Sequence, residues 1–142
     1  LGKNNAIAWH NRNNHMEVLR MANSAQVYIP SANAVAATGE MVNIASTGNP
    51  VPSMAFGTQQ CYYIIGRNKI TKDVTEAIHR CRNVAAPRNA VRLGVKTPCA
   101  VKGDKCYNCN SPDRICRVML ITERAPRGVQ SEIIFVDEDL GL

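Results

Sequence analysis

The chain lacks several features that mark common protein classes. No stretch of eighteen or more apolar residues occurs, so the sequence predicts no membrane-spanning helix. The segment LGKNNAIAWHNRNNH at the start lacks the apolar block of a secretory signal peptide, and a cytoplasmic location is expected. In a reducing compartment, the six cysteines are poor disulfide candidates and better metal or redox candidates.

Aromatic residues and nucleotide-binding motifs are also scarce. The chain has 1 Trp, 4 Tyr and 2 Phe, and they do not form the stacking pattern of a single-strand nucleic-acid binder. Neither a G-x-G-x-x-G motif nor a P-loop is present, and no Ser-His-Asp or Cys-His pattern is found. The three histidines, His10, His15 and His79, have no Cys or Asp residue at metal-ligand spacing in the sequence. The sequence therefore does not favour nucleic acid as a partner.

Acidic residues are scarce in the middle of the chain. Between Arg67 and Arg127 there are fourteen Lys or Arg residues and five Asp or Glu residues, whereas four acids and no base follow from Gly128. An ordinary solvated surface is the simplest interpretation. The alternative is a basic face for an anionic ligand or an acidic partner.

Apolar strand patterns alternate with helical ones along the chain. Strands are predicted at Gln26–Pro30, Met41–Ala45, Gln60–Ile65, Val118–Thr122 and Glu132–Val136. Short helices are predicted at Val51–Phe56 and from Pro87 to Gly94. The pattern indicates an α/β fold with a mainly parallel sheet flanked by helices. The last two strands are expected to form a C-terminal hairpin.

The clearest helix is predicted at Thr71–Ala85, with Thr71 as its N-cap. Its apolar residues form one stripe at helical spacing, which includes Val74, Ala77, Ile78 and Cys81. We expect this stripe to pack on a sheet that contains Gln60–Ile65, a strand apolar enough to be buried on both faces.

A loop at residues 97–117 contains four of the six cysteines: Cys99, Cys106, Cys109 and Cys116. Their spacing, C-x6-C-x2-C-x6-C, allows four thiols to converge on one ion, and the central C-x2-C pair is a common bidentate unit. Lys102, Lys105, Arg114 and Arg117 would offset the thiolate charge. Zinc and an iron–sulfur cluster both remain open, and free thiols or reversible disulfides are the alternative. Cys61 and Cys81 are predicted to be core residues.

A second candidate site consists of polar residues near the ends of predicted strands. Glu40 lies at a strand entrance and is a candidate acid/base. Since ligands bind at the carboxyl ends of strands in open α/β sheets, we expect these loops to line one cleft for an anionic small molecule. The candidate ligand-binding residues are Ser46, Thr47, Gly48, Asn49, Arg67 and Lys69. The simpler interpretation is a set of ordinary polar turns.

Four segments together resemble the lactate-utilization (LUD) domain family, in particular its short single-domain members. They are PSANAVAATGEMVNIASTGN, IIGRNKITKDVTEAIHRCRNVAAPRNAVRLG, TPCAVKGDKCYNCNSPDRIC and the terminal VDEDLGL. The resemblance covers about residues 22–142. It implies that residues 1–142 are one LUD-like domain, similar in fold to the superfamily of glucosamine-6-phosphate deaminase, ribose-5-phosphate isomerase and CoA-transferase.

The resemblance also implies a difference from the family at the N-terminal side. Family members have a longer N-terminal half before the segment that resembles AQVYIPSAN, and LGKNN resembles a piece from near the family's start. Part of the sheet and of the cleft is therefore expected to be absent from these 142 residues.

Three functions follow from these observations. The leading hypothesis, which depends on the resemblance, is an accessory redox protein of lactate or related 2-hydroxy-acid utilization that carries a four-cysteine metal centre. Its implied partners are iron–sulfur oxidoreductase subunits, and a homo-oligomer is a further alternative. The second hypothesis is an isomerase or CoA-transferase-like enzyme that acts on an anionic small molecule with Glu40 as acid/base. The third is a structural, zinc-stabilised subunit.

Overall fold

The computed structural model describes residues 14–142, so His10 and the opening LGKNN lie outside the described residues. The helices are α1 (His15–Ala22), α2 (Pro50–Pro52), α3 (Val74–Arg80), α4 (Ala86–Leu93) and α5 (Pro98–Lys102). The strands are β1 (Val27–Tyr28), β2 (Ala34–Ala36), β3 (Met41–Ala45), β4 (Gln60–Gly66), β5 (Ile70–Thr71), β6 (Val118–Thr122) and β7 (Gln130–Val136). None of the described helices is long and apolar enough to span a bilayer.

The strands form two sheets, and the α/β class predicted from the sequence is confirmed. The first sheet has the order β1-β4-β7 and is parallel throughout. The second sheet has the order β5-β2-β3-β6 and is mixed, because β3 is antiparallel to both of its neighbours while β2 and β5 are parallel.

The predicted C-terminal hairpin is wrong. Strand β6 pairs with β3 in the mixed sheet, whereas β7 pairs with β4 in the parallel sheet over seven residues, from Gln60↔Gln130 to Gly66↔Val136. The turn at Pro126–Gly128 therefore carries the chain from one sheet to the other. Adjacent apolar strands alone do not determine their partners, since pairing depends on which sheet offers a free edge.

The main core lies between the two sheets. Val35 and Met41 of the mixed sheet pack in one buried cluster with Cys61, Tyr63 and Ile65 of β4. Burial alternates along β4, because Ile64 is exposed between the buried Tyr63 and Ile65. The prediction that this strand is buried on both faces is therefore not met within the described residues.

Helix α3 packs on the mixed sheet, and the predicted packing on the sheet that contains Gln60–Ile65 is wrong. Ala77 and Cys81 are fully buried against Ala34 and Val42, and Ile78 is half-buried at the margin of this second cluster. Alternate residues of β2 and β3 thus face opposite layers, as strand geometry requires. The molecule has three layers: parallel sheet, mixed sheet and helices.

The helical segment begins and ends close to the predicted positions. The N-cap is Asp73, two residues after the predicted Thr71, and its carboxylate accepts a hydrogen bond from the Glu76 N–H at 2.9 Å. A π-helical turn, Cys81–Ala85, joins α3 to α4. Gly94 ends α4 in the left-handed conformation, with φ of 66°, as predicted for a C-terminal glycine.

The terminal segment 137–142 folds back over the connection between β4 and β5. The Arg67 N–H donates to the Glu138 carbonyl, and the Asn68 carboxamide accepts from the Leu140 N–H and donates to the Gly141 carbonyl. Arg67 also forms ion pairs with Asp137 and Asp139. These contacts place Gly141 and Leu142 beside the mixed sheet.

Candidate functional site

The cysteine loop begins at α5, a single short turn whose first residues include Cys99. The buried Thr97 precedes it, and the Thr97 hydroxyl lies 3.3 Å from the Cys99 sulfur, within hydrogen-bond distance. Gly103 ends the turn in the left-handed conformation, with φ of 68°. The chain then leaves the helical direction and enters the segment with the other three cysteines.

The C-x2-C pair sits in a tight turn. Asn108 has a left-handed φ of 43°, and its backbone N–H donates to the Cys106 sulfur at 3.3 Å. The Cys106 N–H donates to the side-chain oxygen of Asn83 in the π-helical turn, which anchors the loop to the helical layer. These two hydrogen bonds fix the turn that carries the C-x2-C pair.

Arg114 lies inside the cysteine loop and hydrogen-bonds to the loop backbone. Its guanidinium donates to the carbonyl oxygens of Cys109 at 2.7 Å and Cys116 at 2.9 Å, and to the Asn108 side-chain oxygen at 3.3 Å. Arg117 donates to the carbonyls of Arg114 and Pro112. Arg114 and Arg117, two of the four cations predicted to offset thiolate charge, thus hold the loop backbone in place, and neither is paired with a carboxylate among the described residues.

All six cysteines are free thiols, and they fall into two environments. The four loop cysteines are half-buried, whereas Cys61 and Cys81 are fully buried in the two cores, as their positions in the sequence predicted. Burial raises the pKa of Cys81 to about 11 and also raises the pKa of Cys61. Both core thiols are therefore protonated at neutral pH.

This difference predicts selective alkylation. Iodoacetamide at pH 8 should modify the four loop thiols of chelator-treated native protein and leave Cys61 and Cys81 unmodified, because the thiolate is the nucleophile and both core sulfurs are buried. Intact-mass measurement reports the number of adducts, and the same reaction in denaturant should modify all six thiols. Rapid modification of Cys61 or Cys81 in the native protein would contradict the assigned core positions.

The loop contains thiols that can bind a metal, but their sulfurs are not grouped around one point in residues 14–142. Cys106 and Cys116 line the same small cavity of about 100 Å³. Within residues 14–142, however, no three His, Cys, Asp or Glu side chains are arranged so that they could hold a metal ion. The donor chemistry fits zinc or an iron–sulfur cluster, but the side-chain placement does not complete such a site.

Of the six predicted anion-binding residues, two line a common cavity and the other four do not line it. Ser46 and Lys69 line one cavity of about 410 Å³. Thr47 instead donates to the side chain of Asn49, and Gly48, with φ of 78°, forms the turn between them. Arg67 is exposed and occupied by its two ion pairs.

Glu40 does not join this cavity, and the expected grouping of Glu40, Asn49 and Lys69 is wrong. Glu40 precedes β3 and Ser46 follows it, so the two residues lie at opposite ends of a five-residue strand, separated by roughly 20 Å along the backbone. The Glu40 carboxylate accepts a hydrogen bond from the Thr38 hydroxyl, which lowers its pKa. A carboxylate so placed cannot act on a molecule in the cavity.

Three further polar residues complete the cavity: Asn33, which begins one of the loops expected to line the cleft, and Asn89 and Arg92, which sequence reasoning missed. Asn89 accepts two hydrogen bonds from the Arg92 guanidinium, at 3.0 and 2.7 Å. Their spacing of three on α4 could have indicated this pair. Nothing local indicates that Asn33, before β2, would face them.

The cavity and the cysteine loop are adjacent. Ile44 of β3 lines both the 410 Å³ cavity and the small cavity beside Cys106 and Cys116, and Ile115 of the loop lines the larger one. The structure thus defines a three-layered α/β domain with a thiol-rich loop next to a cationic cavity.

The LUD domain family model matches residues 1–136, and the chain belongs to this family. The resemblance recognised in the sequence is thereby confirmed. Family membership suggests involvement in lactate utilization. No curated protein and no solved structure gives a significant match.

Proposed function

We propose that this protein is an accessory redox protein of lactate or related 2-hydroxy-acid utilization, and that its cysteine loop takes up a metal centre. The observation that carries the proposal is the loop itself. Four free, half-buried thiols fall within a stretch of eighteen residues, and the chain belongs to the LUD family. The role beside iron–sulfur oxidoreductase subunits is part of the same proposal and rests on the family resemblance.

Three features of the loop support metal uptake. The Asn108 N–H donates to the Cys106 sulfur, and Arg114 ties the backbones of Cys109 and Cys116 together. The loop is also rich in cations, which compensate thiolate charge. Because the sulfurs are not already grouped as ligands, the proposal includes their convergence by side-chain rotation when the metal binds.

Metal analysis tests this proposal. Protein purified without oxygen should contain a stoichiometric metal centre, and Cys109→Ser should lose most of the metal because a hydroxyl is a poor replacement for a thiolate ligand. Elemental analysis and the visible absorption spectrum measure the result. Iron with sulfide would support the redox role, whereas colourless protein with zinc would favour the structural alternative.

Cys81→Ala is the matched control, since it also removes one thiol but lies in the helical core away from the loop. It should retain the metal. Metal-free wild-type protein after anaerobic purification and reconstitution would overturn the proposal, as would equal metal loss in Cys81→Ala and Cys109→Ser. The enzymatic alternative with Glu40 as acid/base is not supported by the position of Glu40.

A further inference from the structure

The 410 Å³ cavity contains a buried cation without a carboxylate side chain as partner. Lys69 is 6% exposed, and its ammonium group donates to the Ser31 hydroxyl at 2.9 Å. The acids Asp137 and Asp139 of the terminal segment pair with the exposed Arg67, and within residues 14–142 no carboxylate side chain forms an ion pair with Lys69. Burial, together with the charge of Arg80, lowers the pKa of Lys69. A buried charge of this kind is costly unless an anion joins it.

Two arginines add to the positive potential without being neutralised by an acidic side chain. Arg80 is half-buried and donates to the backbone oxygens of Asn33, Asn68 and Leu142. Arg92 lines the cavity and is held by the Asn89 side chain. Neither guanidinium group contacts an Asp or Glu side chain among the described residues, so the region keeps a positive charge that no such side chain balances.

The cavity is shaped to leave room for the lysine head group. Gly141 has φ of +64°, and a Cβ at this position would lie 3.3 Å from the Lys69 ammonium nitrogen. The terminal segment thus passes close to the cation, and a side chain at this position would crowd the ammonium group. The Asn33 side-chain oxygen accepts from the Ile44 N–H at 2.7 Å, which leaves its amino group as a donor.

We infer that this cavity binds a small organic acid, with the carboxylate between Lys69 and Arg92 and the remainder of the ligand against the apolar wall. That wall consists of Ile44, Ala85, Ala86, Leu93 and Ile115. Ser46, Asn33 and Asn89 can hydrogen-bond a hydroxyl group on the ligand. The volume falls in the range typical of small-molecule sites.

A carboxylate suits the site better than a phosphate. Arg92 and Leu93 belong to the last turn of α4, where the helix dipole is negative and opposes a dianion. Phosphate sites usually use helix N-termini or glycine-rich loops, and the sequence has neither a P-loop nor a G-x-G-x-x-G motif.

Isothermal titration calorimetry with lactate, 2-hydroxyhexanoate and inorganic phosphate tests the inference. The choice of 2-hydroxy acids rests on the proposed function, whereas the carboxylate site itself does not. 2-Hydroxyhexanoate should bind saturably and more tightly than lactate, by up to about fourfold for each added methylene buried on the wall. Saturable phosphate binding without carboxylate binding would overturn the inference.

Lys69→Met should weaken 2-hydroxyhexanoate binding at least about tenfold, because the charge-assisted hydrogen bond is lost. Lys72→Met, an identical change at an exposed lysine nearby, should bind like wild type. Thermal melting checks the fold, and the Lys69→Met protein without ligand should melt no lower than wild type, since a buried charge is removed.

Arg92→Gln provides a second test at an exposed residue, with Arg88→Gln on the same helix as its control. Arg92→Gln should weaken binding and Arg88→Gln should not. Equal binding by Lys69→Met, Arg92→Gln and wild type would overturn the inference. Metal content should be the same in all four variants, so a failure of the carboxylate site is distinguishable from a failure of the cysteine-loop proposal.

Discussion

Ile65→Ala should be among the most destabilising single substitutions in this protein, lowering the free energy of unfolding by about 2–5 kcal/mol. Ile65 is 0% exposed and packs in the core between the two sheets with Cys61 and Tyr63. Truncation removes its apolar contacts and leaves a cavity in a layer that cannot collapse, because both sheets are held by their own hydrogen bonds.

The neighbouring residue is the matched control. Ile64 is 40% exposed on the opposite face of the same strand, so Ile64→Ala makes the same chemical change where much less area is buried. Urea denaturation of both variants measures the difference. Equal losses of stability would show that β4 is buried on both faces, in agreement with the sequence prediction and against the structure.

Gly66→Ala should lower the free energy of unfolding because a methyl group at this position collides with the backbone of the terminal segment. Gly66 has an ordinary extended backbone, with φ of −74°. A Cβ there would lie 2.6 Å from the Leu140 nitrogen and 2.7 Å from the Glu138 oxygen, both of which are backbone atoms. The terminal segment must therefore move away, and we expect a loss toward the upper end of roughly 1–3 kcal/mol.

Gly94→Ala separates steric collision from backbone strain. Gly94 has φ of +66°, and no atom lies within 4 Å of the point that a Cβ would occupy, so alanine there meets strain but no contact. It should cost about 1 kcal/mol. A truncation after Val136 should make Gly66→Ala nearly neutral, because the colliding segment is gone. If Gly66→Ala is equally costly in both backgrounds, the collision is not its cause.

The same Gly66→Ala substitution would affect the cavity. The terminal segment carries Gly141 and Leu142 to the side of Lys69, and Gly66 is the point at which that segment crosses β4. Displacement of the segment should open the cavity and expose Lys69 to water. The stability of the terminal segment and ligand binding are therefore coupled through the contact between Gly66 and that segment.

The sequence by itself determined the local elements and the chemistry available. Strand β3 has the predicted bounds, α4 ends at the predicted Gly94, and both core cysteines were distinguished from the four in the loop. These features depend on short-range periodicity and on the conformational freedom of glycine, which neighbouring residues suffice to reveal. The motifs were also specific enough to indicate the LUD family.

Only the tertiary structure decided which elements meet. It paired β7 with β4 instead of β6, and it placed α3 on the mixed sheet. It also put Glu40 at the far end of β3 from Ser46, and it brought Asn33 and Arg92 to Lys69. Contacts between residues distant in sequence depend on free sheet edges and on the burial of whole faces, so local patterns do not encode them. Whether a lysine is a solvated surface charge or a buried cation without a partner is a property of the assembled layers.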